Sequence, residues 1–116
     1  MDRQRVVGRD YPSIIKQILT EYSQIKPANG EIEQEVICDD TGKHYQLLQI
    51  GWVEGRKRVF RPVIHIDIKE DKIWLQHDGI EDGVTRELLA AGIPKDKIVL
   101  GFHSPSMRKY TEYAAE

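Results

Sequence analysis

The stretch IHIDIKEDKIWLQHD, residues 64–78, brings His65, Asp67, His77 and Asp78 into close succession. Imidazoles and carboxylates are the groups that ligate transition metals or carry acid–base chemistry. Whether they meet depends on the elements that hold them. Apolar and polar residues alternate on either side of Glu70-Asp71, the pattern of two strands joined by a two-residue turn. In that register Lys69 faces Lys72, Asp67 faces Trp74, His65 faces Gln76 and Ile64 faces His77. Successive strand residues point to opposite faces, so His65 and Asp67 share a face with Trp74 and Gln76. His77 falls on the other face, with Ile64, Ile66, Ile68, Ile73 and Leu75. A zinc-type site gathers its ligands about 2.0–2.3 Å from one ion. His65 and Asp67 supply only two, so neither a metal nor any other cofactor is expected. The pair reads as a hydrogen-bonded couple on a sheet, and Asp78 as a helix cap with Glu81 completing a capping box.

Other chemistries fare no better. Asp39 or Asp40 followed by Asp67-x-Lys69 has the acid and acid-x-lysine layout of magnesium-dependent nucleases, which gather carboxylates on a metal beside a lysine. However, Asp39 and Asp40 stand in a DDTG turn, where Asp is favoured by bonds to its own backbone. Cys38 reads as an inert buried thiol. Ser104 and Ser106 flank Pro105 in no nucleophile turn, and no glycine-rich phosphate loop is present. A catalytic constellation is not expected, and the chain is not read as an enzyme.

The elements that would hold these residues are legible. Tyr11, Ile14, Ile15, Ile18, Leu19, Tyr22 and Ile25 recur at helical steps, with Asp10 as N-cap, Pro12 in the first turn and Pro27 and Gly30 as stops. Four strands follow, about Glu31–Cys38, His44–Val53, Lys57–Ile68 and Lys72–His77. Loops as short as DDTGK, EGRK and KEDK require antiparallel pairing. A second helix with Val84, Leu88 and Leu89 on its apolar face ends at Gly92 and Pro94. Ile98–Leu100 reads as a last strand, and the aromatic tail packs down. The fold class is α+β: an antiparallel meander of four to five strands, an N-terminal helix and a second helix before the last strand.

The chain has 116 residues, the size of one domain, and residues 1–116 are read as such. Its single cysteine rules out an internal disulfide framework and suits a reducing cytoplasm. No apolar run nears the roughly 20 residues of a membrane helix, and MDRQRVVGRDYP lacks the apolar core of a secretory signal. Seventeen basic residues against 19 acidic ones give a formal net charge of −2. That balance argues against a free-standing DNA binder, which needs a positive surface. Two small basic clusters, Arg56-Lys57-Arg58 with Arg61, and Arg108-Lys109, keep a DNA contact in play.

Extending the register across a Gly55-Arg56 turn places Leu48, Ile50, Trp52, Val59, Val63 and Trp74 beside His65 and Asp67. Tyr45, Leu47, Val53, Phe60, Ile64 and Ile66 take the opposite face. Both faces are then apolar, and one helix layer covers one face. The other is either an oligomer or partner interface, or is covered by the second helix or the tail. The binding residues expected there are Trp52, His65, Asp67 and Trp74, with His103 and Arg108 from the C-terminal segment.

Five segments carry a family resemblance: LTEYSQIKPANGEIE, HYQLLQIGW, GWVEGRKRVFRPVIHIDIKEDKIWLQHDGIEDGV, ELLAAGIPKDKIVLGFHSP and RKYTEYA. In order and spacing, from about Tyr11 to Tyr113, they resemble the XisI-like proteins, also called fdxN element excision controlling factors. The resemblance implies a small α+β accessory to site-specific excision of a DNA element during heterocyst differentiation. It also implies that the recombination chemistry belongs to a separate recombinase, that a companion protein, XisH, acts alongside, and that no catalytic residues carry over. The resulting expectation is a controlling factor that binds proteins, namely further copies of itself and an XisH-like companion. The alternatives are direct DNA binding through Arg56, Lys57, Arg58 and Arg61, and a metal-dependent nuclease.

Overall fold

The structure, a computed structural model, describes residues 10–27 and 30–116. The reading of the N-terminal segment as no secretory signal falls almost wholly outside them. Helix α1 spans Tyr11–Ser23, with Pro12 in its first turn and Tyr11, Ile15, Ile18 and Leu19 buried. Asp10 stands at the N-cap, but its side chain makes no capping bond; its carbonyl accepts from the Ile14 N–H at 3.1 Å. Because the helix ends at Ser23, ahead of Pro27, Ile25 lies beyond the apolar stripe and is exposed.

Five strands form one sheet in chain order: β1 (Glu31–Asp39), β2 (His44–Val53), β3 (Lys57–Lys69), β4 (Lys72–Asp78) and β5 (Ile98–Leu100). The first four are an antiparallel meander. The fifth departs from it, because β5 runs parallel to β4. A parallel neighbour needs a crossover, and α2 (Thr85–Ala90) with a 3₁₀ turn at Lys95–Lys97 supplies it. The β3–β4 turn is the expected two-residue one. Glu70 and Asp71 both take left-handed φ, 51° and 66°, as a turn matched to the strand twist requires.

Two register shifts correct the expected faces. Between β3 and β4, Asp67 opposes Trp74 as expected, but a shift beside His65 pairs it with His77 and Ile64 with Asp78. Between β2 and β3, Gln46 opposes His65 as expected. A shift at Leu47/Leu48 then sets Leu48 against Pro62, Ile50 against Phe60 and Trp52 against Arg58. Proline has no N–H to give a ladder, and bulges are where sheets accommodate it. One slipped residue exchanges the faces. Phe60 therefore joins Trp52, whereas Val59 and Val63 move to the helix side, where Val63 enters the core.

Helix α2 begins at Thr85, later than the capping box placed it. Asp78 instead ends β4 and fastens the loop into α2. Its Oδ1 accepts from Ile80 N–H at 3.1 Å and its Oδ2 from Val84 N–H at 2.8 Å. One apolar cluster fills the space between layers: Ile15 and Leu19 of α1, Tyr45, Leu47, Ile64, Ile66, Ile73 and Leu75 of the sheet, and Leu88 of α2. Each such side chain, fully buried, contributes about 1.5–3 kcal/mol.

Among the described residues, the second sheet face is covered only at one end. After a short helix, α3 (Pro105–Arg108), the tail returns to β5, where Ala114 N–H donates to Ile98 O at 2.9 Å. The Arg108 guanidinium lies 5.0 Å from the Trp74 ring centre and Lys69 Nζ 4.8 Å from it. At the β1–β3 end, Trp52 is 44% and Phe60 65% exposed. Among the described residues no helix is long and apolar enough to cross a membrane.

Candidate functional site

Five polar side chains from three neighbouring strands meet on the second face, around Asp67. Asp67 Oδ1 accepts from His44 Nδ1 at 2.7 Å and from His65 Nε2 at 2.9 Å. Its Oδ2 accepts from Gln76 Nε2 at 3.2 Å. Gln46 Nε2 in turn donates to His65 Nδ1 at 2.8 Å, which requires the His65 hydrogen on Nε2. The sheet sets this geometry. His44 opposes Asp67 and Gln46 opposes His65 across β2–β3, and alternation keeps His65 and Asp67 on one face.

Asp67 is only 7% exposed, while His44 is exposed and His65 half-buried. A buried carboxylate lacking donors would be costly. Burial pushes the Asp67 carboxyl up; the three side-chain bonds outweigh it and hold the group below the usual carboxylate range. The same three residues each offer a ligand atom, all within 4.8 Å of one another, and the nitrogens already on Asp67 Oδ1 are His44 Nδ1 and His65 Nε2. Two ligands become three. His44 was missed because the register was followed only to Gln46; two residues further it pairs His44 with Asp67.

The remaining expected residues divide among separate places. His77 stays apart from His65 and Asp67, lining a groove on the helix side with Tyr22, Gln34, Arg61 and Val63. Trp52 is stacked under Arg58, whose guanidinium lies 5.2 Å from the ring centre. Trp74 sits beneath Arg108 and Lys69. Arg108 Nε also donates to the His103 carbonyl at 3.0 Å, and the His103 and Phe102 rings meet tilted at 48°, their centres 4.7 Å apart.

The hairpin cations do not present one surface. Arg58 lies over Trp52, whereas Arg61 turns to the helix side and donates to Gln49 Oε1 at 3.1–3.2 Å. Arg56 sits near Glu54 at the turn, 3.8 Å from its carboxylate, and Lys57 shares the parity of Arg61.

The nuclease layout does not assemble around Asp67. Asp39 Oδ1 accepts from the backbone N–H groups of Thr41 and Gly42, both at 3.1 Å, the turn role its position suggested. Asp40 pairs with Lys16 at 2.7 Å and accepts from the Tyr45 hydroxyl at 3.0 Å. Lys69 is engaged on Trp74. Cys38 is exposed rather than buried, because β1 is an edge strand. Its thiol is nonetheless raised, chiefly by desolvation, which keeps it a poor nucleophile at neutral pH. Ser104 Oγ lies 3.3 Å from Ser106 Oγ, a pairing of two hydroxyls.

The chain is similar to known proteins over nearly its whole length. A family model described as "XisI protein" matches residues 2–115. The crystal structure of a XisI-like protein from Anabaena variabilis ATCC 29413 superposes with a TM-score of 0.81 at 37% identity, covering 92% of this chain and 97% of that one. The fdxN element excision controlling factor XisI from the same organism superposes with a TM-score of 0.79 at 33% identity, covering 94% and 98%. No curated protein matches the chain. Matched over residues 2–115 and sharing its α+β fold with these structures, the chain belongs to the XisI family.

Proposed function

We propose that the protein is an accessory controlling factor for site-specific excision of a DNA element, acting by binding proteins rather than by catalysis. The observation that carries this reading is the uncovered end of the second sheet face. There Trp52 and Phe60 stand exposed beside Ile50, with Glu31 and Glu33 opposite Trp52 and Ile50 on the edge strand. An aromatic patch rimmed by polar residues is the usual composition of a recognition surface. Its fdxN-factor relative supports the excision context. The partners are further copies of the chain and an XisH-like companion, met in the cytoplasm during heterocyst differentiation. Farther along the same face, toward the tail, come His65, Asp67 and Trp74, with Arg108 over the Trp74 ring.

Replacing Trp52 and Phe60 together with serine tests this directly. Sedimentation should show the assembly reduced to a lighter species, and an XisH-like companion should no longer co-purify. An unchanged mass together with undiminished capture places the contact elsewhere.

Direct DNA binding through Arg56, Lys57, Arg58 and Arg61 is the second reading, favoured by the exposure of Arg56 and Lys57 at the hairpin end. It predicts an affinity that falls steeply with added salt. No retardation of any duplex at low salt would dispose of it.

A further inference from the structure

We propose that His44, His65 and Asp67 form a binding site for a divalent transition cation of the zinc class, held by His44 Nδ1, His65 Nε2 and Asp67 Oδ1. This goes beyond the accessory role and does not depend on it. Imidazole nitrogen with one carboxylate oxygen is a donor set that zinc accepts and magnesium, which prefers oxygen, does not. Among the described residues these are the ligand-type side chains that converge, their donor atoms within 4.8 Å of one another.

The spacing comes from the sheet itself. His44 and Asp67 are cross-strand partners, and His65 lies two residues before Asp67 on the same face. Sites carried by strands are held more closely than sites on loops. The nitrogens now lie 2.7 and 2.9 Å from Oδ1. Ligand atoms around a tetrahedral zinc sit about 3.3 Å apart, so both contacts must open slightly: the exposed His44 ring has room to rotate, and the half-buried His65 needs the smaller shift.

The outer partners fit the same role. A histidine bound through Nε2 carries its hydrogen on Nδ1 and needs an acceptor there. Gln46 already sits 2.8 Å from His65 Nδ1, and turning its amide over presents Oε1 in place of Nε2. Gln76 occupies Asp67 Oδ2 and so leaves Oδ1 directed at the ion. A fourth ligand would come from the solvent side, which is also the side that carries Trp52 and Phe60.

Calorimetric titration of the metal-free full chain with zinc chloride, with magnesium chloride as control, tests the assignment. Zinc should bind at one site and magnesium should not. Cobalt(II) titrated in its place should give visible absorption of a low-coordinate centre. His44→Ala leaves the buried groups intact and should still fold, which circular dichroism verifies. It should weaken zinc by more than about 100-fold, beyond the range of outer-shell losses. Gln46→Ala should weaken it by about 10-fold. Zinc affinity unchanged in folded His44→Ala overturns the proposal, as does magnesium binding of equal strength or no saturable zinc binding by the wild type.

Discussion

Ile66 and Asp67 are neighbours in β3, yet they serve two different surfaces. Ile66 points into the cluster beneath α1 and α2 and is fully buried. Asp67 points to the opposite face, where its burial is tolerated only because His44, His65 and Gln76 surround its oxygens. The helix side is continuous apolar packing, in which each side chain contributes through area removed from water. The other side is a patchwork: a hydrogen-bonded polar cluster in the middle, a tail-covered tryptophan at one end and exposed aromatics at the other. The first surface makes the fold stable; the second leaves large side chains within reach of water. That difference teaches why composition alone misleads here, because both faces contain comparable apolar residues and only one is sealed.

The comparison can be broken at measurable points. Ile66→Ala should have the largest effect, lowering the unfolding free energy by about 2–5 kcal/mol through lost burial and a cavity, as read by urea denaturation. Asp67→Asn, one residue away, should cost less, about 1–3 kcal/mol with a chelator present, because it weakens bonds to a charged acceptor without opening a cavity. A loss as large as that of Ile66→Ala would mean that the polar cluster, too, is core. Phe60→Ser should change the stability of the isolated chain by no more than about 0.5 kcal/mol, the range of surface substitutions. A larger loss would show that Phe60 is covered within the chain.

The smallest effect belongs to the Lys16–Asp40 pair, which ties α1 to the β1–β2 turn. The Lys16 hydrogen bond, followed by that of Tyr45, holds the Asp40 carboxyl below its ordinary value. A carboxyl lowered on folding contributes stability above its unfolded value and loses it as pH falls through its folded one. Asp40→Asn should therefore be slightly less stable than the wild type at neutral pH. The gap should close as pH drops below about 4, as thermal melts at stepped pH would show. A gap that persists into strong acid would mean the carboxyl charge is not its cause.

Most of the fold was legible from local signals. Helical periodicity located α1, and alternation between turn-forming stretches located the meander strands nearly to their ends. Even the Glu70-Asp71 turn and the Asp67–Trp74 pairing followed from counting. The errors that moved side chains between faces were ones of register. A register is only as good as its turn. The β2–β3 loop takes the three residues Glu54–Arg56 rather than the two counted, which reverses Val59, Phe60 and Val63. The bulge at Leu48 and Pro62 then restores the expected pairing at Gln46 and His65. Pro62 was the available signal, since a proline inside a strand marks a place where the ladder breaks. The candidate site was half legible: His65 and Asp67 were paired correctly, and His44 needed the same register carried two residues further.

What the sequence by itself determined is everything that depends on neighbours along the chain: helix and strand positions, turn type, the α+β class and, through its motifs, the XisI family. What only the tertiary structure decided is which groups from separate strands share a face and which of them water still reaches. Pleat alternation is a local property, but a bulge changes it by one residue for every position beyond. A tail that folds back over Trp74 and stops short of Trp52 obeys packing between distant segments, which no local pattern encodes.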